Sequence, residues 1–102
     1  MEIIDVNKDN FEKEVLKAGT VLADFNASWC GPCRMLRPIL EELASERDNG
    51  KIVSIDIDEE DELAIKYNVS SIPCLVLFKD GKEVARSIGL KPKEEIEKLL
   101  GE

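Results

Sequence analysis

Two cysteines separated by two residues, in the stretch Trp29-Cys30-Gly31-Pro32-Cys33, are the side chains of this chain best suited to chemistry. A helical pattern follows them, so the pair lies about one turn apart, with Cβ atoms roughly 5 to 6 Å from each other before adjustment. A disulfide wants Cβ atoms nearer ~4 Å, so the pair closes with little backbone movement and reopens readily. Cys30 falls in the N-cap region of that helix. The positive end of the helix and its free N–H donors favour a thiolate there, and Arg34 adds a nearby cation. Cys33, one turn in, is expected to be less accessible, and so to resolve a mixed disulfide and not to start one. Gly31 leaves room for a partner's backbone, and Pro32 stiffens the loop where its missing N–H costs little.

The same spacing also serves metal sites. A tetrahedral site needs four ligands, whereas this chain offers one further cysteine, Cys74, and no histidine, so no metal is expected. A purely structural bond closing so short a loop would stabilise little, because the effect grows with loop length. Redox chemistry is the better reading. The absence of histidine also removes Ser-His and Cys-His nucleophile pairs. Proton transfer near neutral pH then needs a shifted carboxylate, lysine or thiol. Asp24 interrupts the apolar run Val21-Leu22-Ala23-Asp24-Phe25, and burial there raises a carboxyl's pKa by desolvation. It is the best candidate for a base that deprotonates Cys33; the alternative is a half-exposed strand residue paired with a lysine.

The elements that must hold these residues follow from the periodicity. Residues 3–6 read as a short strand, and Phe11, Val15 and Leu16 as a helix ending near Gly19. The run 21–25 is apolar enough for a central strand. After the cysteines, Met35, Leu36, Ile39, Leu40 and Leu43 recur at helical spacing towards Asn49-Gly50, and Pro38 is expected to kink that helix. A strand over 52–57, a short helix marked by Leu63, Ala64 and Tyr67, and a strand over 74–78 come next. Asp80-Gly81 signals a hairpin to an antiparallel strand over 83–88. Pro92 suits the first turn of a last helix facing inward with Ile96, Leu99 and Leu100. The order β-α-β-α-β-α-β-β-α predicts an α/β fold with helices on both faces of a mixed, largely parallel sheet whose terminal hairpin adds an antiparallel edge. The cysteines then lie beyond the carboxyl end of the second strand, where such sheets place function.

Composition bounds the rest. One domain over residues 1–102 is expected from a chain of 102 residues. A net charge of −8, from 22 acidic and 14 basic side chains, excludes nucleic acid as a partner. No apolar run approaches the ~20 residues of a membrane span. The charge runs over 56–62 and 91–98 read as solvated surfaces. An odd cysteine count and the absence of a basic and apolar leader predict a reducing, cytoplasmic setting.

Several spaced motifs together resemble the thioredoxin family over essentially the whole chain: the apolar strand containing Asp24-Phe25, then Trp29-Cys30-Gly31-Pro32-Cys33, Arg34-Met35-Leu36-Arg37-Pro38, Ser71-Ile72-Pro73-Cys74 and Ser87-Ile88-Gly89. The resemblance implies a three-layer thioredoxin fold and a protein-disulfide reductase. It implies Cys30 as nucleophile, Cys33 as resolving thiol, Trp29, Gly31 and Pro32 as the active-site loop, and Pro73 as a cis-proline facing it. Ile72 and Gly89 match the edges of the groove where client peptides dock. It further implies recharging by a thioredoxin reductase, disulfide-containing clients, no cofactor and a monomer. Three positions depart from the family's usual residues. Ser54 stands where a lysine often accompanies the buried aspartate, so Asp24 is expected to titrate higher still. Asn26 replaces an aromatic residue. Cys74 replaces threonine after the cis-proline; it reads either as a regulatory thiol near Cys30 or as an inert buried substitute. An oxidase or isomerase would use the same pair in reverse, and a binding module would not use it at all. Gly31-Pro32 and the missing export signal argue for reduction, and the intact pair for chemistry.

Overall fold

The computed structural model describes residues 1–101. Five strands, β1 (Ile3–Asp5), β2 (Thr20–Asn26), β3 (Lys51–Asp56), β4 (Cys74–Lys79) and β5 (Lys82–Ile88), form one sheet in the order β1-β3-β2-β4-β5. Three α-helices, α1 (Gly31–Glu46), α2 (Asp61–Lys66) and α3 (Lys93–Leu99), complete the chain with a short π-helical segment, Glu12–Leu16. That segment stands where the first helix was predicted. Phe11, Val15 and Leu16 recur at i, i+4 and i+5, which suits the wider turn of a π-helix, and the Lys17 amide accordingly donates to the Glu12 carbonyl.

β2 is central because it is apolar on both faces: Val21 to Phe25 are all buried, Asp24 being the single charged residue among them. Strand alternation sorts its side chains into two cores. Val21, Ala23 and Phe25 join Phe11, Val15, Leu63 and Phe78 under the π-helical segment and α2. Leu22 joins Leu36, Leu40, Leu43 and Ile96 under α1 and α3, and Asp24, two residues on, points to the same side.

The sheet is mixed, with less parallel pairing than the alternation of elements implied. β1 and β2 pair parallel with β3, whereas β4 runs antiparallel to β2 as well as to β5. The reason is length. The six residues of α2 rise about 9 Å, while the six of β3 extend about 20 Å, so α2 does not carry the chain back to the start of the sheet. β4 therefore begins beside the end of β2, with Cys74 opposite Phe25. The loop before β4 is thereby brought to the edge where the cysteines sit.

Smaller differences have local causes. Met35, at helical spacing with the apolar residues of α1, is 63% exposed, because Cys33, Leu36, Leu40, Leu43 and Ala44 already fill that face. α1 continues through Pro38 and ends at Glu46, short of Asn49-Gly50. Pro92 is the N-cap of α3, one position before the first turn. The predicted hairpin is present: Asp80 and Gly81 take φ values of 52° and 84°, the pair of positive angles a two-residue I′ turn requires. Glycine is also needed at 81 for space, since a Cβ there would lie 2.8 Å from the Leu16 carbonyl oxygen.

Candidate active site

α1 begins at the carboxyl edge of the sheet, and Cys30 is its N-cap. An N-cap side chain ordinarily accepts a hydrogen bond from the N–H two or three residues on. Here the sulfur does so: the Cys33 amide donates to Cys30 Sγ at 3.2 Å. Gly31 and Pro32 fill the first two helical positions, and Pro32 removes a donor that has no intrahelical partner in any case. Cys30 and Cys33 are joined by a disulfide, with Cα atoms 5.2 Å apart.

Exposure does not rank the two cysteines as predicted. They are 4% and 5% exposed, because the bond folds both sulfurs against Ala27, Ile57 and Ile72. What distinguishes them is their surroundings. Cys30 holds the helix end. Cys33 lines a cavity of about 170 Å³ that also contains Asp24, Asn26, Ser54 and Arg37.

Asp24 is 3% exposed, and its Oδ1 has no hydrogen-bond partner. Burial pushes its pKa up from 3.8 to about 6, while the Arg37 guanidinium and a hydrogen bond from Asn26 oppose the rise. Sequence reasoning expected no cation beside this carboxyl once serine stood at 54. Arg37 supplies one from α1. The missed signal was the helical spacing of Cys33 and Arg37, which places both on the side of α1 that meets Asp24. Asn26, the other departure, donates from Nδ2 to the Asp24 carbonyl and to Ser54 Oγ, each at 2.9 Å, and so ties β2 to β3 beside the carboxyl. Arg34 turns to the loop instead, donating to the Ser28 carbonyl at 2.7 Å.

The remaining candidates lie in or next to the loops before α1, β4 and α3. The Ile72–Pro73 bond is cis, Pro73 is buried, and Ile72 packs against the cysteine cluster. The Gly89 amide donates to the Pro73 carbonyl at 2.8 Å, which fastens the start of the α3 connection to the same loop. Trp29 is 65% exposed, and its indole N–H donates to Asp58 Oδ2 at 2.8 Å. Cys74 is 1% exposed and belongs to the core under the π-helical segment and α2, separate from the cluster holding Cys30 and Cys33. Burial raises its thiol pKa. Among the described residues, no three His, Cys, Asp or Glu side chains are grouped to hold a metal, and no helix is long and apolar enough to cross a membrane.

A cysteine pair closed at a helix N-terminus, above a mixed α/β sheet, defines a thiol-disulfide oxidoreductase. Comparison with known proteins places it more narrowly. The Thioredoxin family model matches residues 2–102. The chain is 53% identical over 95 residues to a thioredoxin of Chlamydia trachomatis, covering 93% of this chain and 92% of the relative. It is 50% identical over 101 residues to a thioredoxin of Bacillus subtilis, covering 98% and 96%. A solved mutant thioredoxin from Halobacterium salinarum superposes with a TM-score of 0.88 at 39% identity, covering 96% of this chain and 87% of the other. This chain belongs to the thioredoxin family, and its substrates are disulfides.

Proposed function

We propose that the protein, acting as one domain and a monomer, reduces disulfides in other cytoplasmic proteins and is recharged by a thioredoxin reductase. The observation that carries this reading is the position of the pair: Cys30 Sγ receives a helix-terminal N–H, and Cys33 shares a cavity with a buried carboxyl. The Cys30 thiolate attacks a client disulfide, forming a mixed disulfide and releasing one client thiolate. Asp24 takes the Cys33 proton. Cys33 then attacks Cys30 Sγ, the second client thiolate leaves, and the Cys30–Cys33 bond re-forms. The client gains two electrons and two protons, the pair loses them, and no cofactor takes part. Exposed Trp29, with Ile72, Pro73 and Gly89, forms the client-docking edge.

The direction of transfer is tested by equilibrating the protein with glutathione mixtures and trapping thiols with acid. A reductase keeps the pair oxidised until the mixture is strongly reducing, because its disulfide is the more stable form. A pair that turns reduced in weakly reducing mixtures would make the protein an oxidase.

Cys74 acts as a packing thiol in this reading. A buried, protonated thiol is a poor nucleophile, so mild peroxide is expected to modify only Cys30 and Cys33 of the reduced protein, with Cys74 labelled only in denaturant. Peptide mass spectrometry decides between the roles. A Cys74 adduct formed on the folded protein would restore the regulatory one.

A further inference from the structure

The cavity beside the cysteines is lined by Asp24, whose buried Oδ1 has no hydrogen-bond partner, and by Arg37. A folded protein rarely leaves one such group unpaired. Asp24 and Arg37 share this one cavity of about 170 Å³. The charged groups that face it are Asp24 from β2 and Arg34 and Arg37 from α1. Arg34 is committed to the Ser28 carbonyl. β3 contributes no charge, only Ser54, which lies opposite Asp24 in the parallel register. Arg37 is half-buried, and its Nε also pairs at 3.5 Å with Oε2 of the exposed Glu41, one turn on in α1.

We propose that Arg37 is the positioning cation of this site: reaching from α1 to the cavity wall, it holds the Asp24 carboxylate in place of a charge from β3, and acts on Cys33 through Asp24. The inference rests on Asp24 serving as the base for Cys33. It also explains how serine is accommodated at 54: the cation sits on the helix that carries the cysteines, not on the neighbouring strand.

The test follows the Asp24 side-chain carboxyl carbon by NMR through a pH titration of the oxidised protein. In the unaltered protein the midpoint is expected at about 6. Arg37→Gln, which keeps much of the side-chain length and removes the charge, is expected to raise it by about one pH unit, the low end of what an adjacent opposite charge contributes. Adding Ser54→Lys to that variant returns a cation from β3 and is expected to bring the midpoint back down. The acid limb of the mixed-disulfide resolution rate should move with the midpoint in each protein. A structural role for Arg37 would not be reversed by a charge on another element. An unchanged midpoint in Arg37→Gln, or a shift that Ser54→Lys leaves in place, would overturn the proposal. Asp24→Asn separates this from the underlying reading: an unaltered resolution rate there would remove Asp24 as base, whereas the coupling of Arg37 to the carboxyl is read from the midpoint alone.

Discussion

Cys30→Ser is expected to reduce insulin disulfides no faster than the uncatalysed background, whereas Cys33→Ser is expected to stop turnover while still capturing one client per protein. The asymmetry follows from the geometry. Only Cys30 stands at the N-cap, where the Cys33 amide and the end of α1 favour a sulfur anion. Serine at 30 keeps the cap but offers no sulfur to exchange. Serine at 33 leaves the attacking thiol intact and removes the group that would expel the client, so a covalent mixed disulfide accumulates. Turbidity reports insulin reduction, and non-reducing electrophoresis reports the captured client. Catalysis surviving the loss of Cys30, or capture by Cys30→Ser and not by Cys33→Ser, would reverse the assigned roles.

Asp24→Asn is expected to raise stability and slow resolution together, with opposite pH dependence. In the folded protein the Asp24 carboxyl titrates at about 6, against 3.8 for an unperturbed one. A pKa raised on folding gives stability that is complete below the unfolded value and lost as pH rises through the folded one. The difference of about two pH units amounts to about 3 kcal/mol, lost between roughly pH 4 and pH 6 and absent above. Asparagine carries no such cost, so the variant should be more stable by up to about 3 kcal/mol at pH 7 and gain little near pH 4. Denaturant unfolding at both pH values measures this. Resolution by Cys33 should fall about tenfold at pH 7, a modest share of what a positioned base supplies, and recover near pH 9, where a thiol ionises unaided. A gain in stability that is equal at both pH values would mean that folding does not raise the Asp24 pKa.

The two predictions bear on one arrangement. The apolar run of β2 places a carboxylate where it is costly to ionise, and that cost is what gives it affinity for a proton near neutral pH. Cys33 is carried to the same cavity by the first turn of α1. In the proposed mechanism, stability is exchanged for a base beside Cys33 in a chain without histidine.

Much of this was legible in the sequence. The spacing of Cys30 and Cys33, the isolated charge of Asp24 within an apolar run, and the Asp80-Gly81 turn each act over a few residues, where periodicity and backbone preference suffice. The π-helical segment was missed because spacings of four and five residues fit an α-helix nearly as well. The antiparallel direction of β4 was missed because alternation of elements does not say how far a helix returns the chain. The exposure of Met35 was not legible because helical spacing does not show what already fills a face.

The sequence by itself determined the reactive pair, the helix that begins at it, the order of elements and the carboxyl under them, because each is a local pattern of residue types. Only the tertiary structure decided that Cys74 lies in a different core from the pair, and that Arg37 shares a cavity with Asp24 and Cys33. Both depend on which face of a strand or helix meets which neighbour. That is set by packing between segments far apart in the chain, and no single segment encodes it.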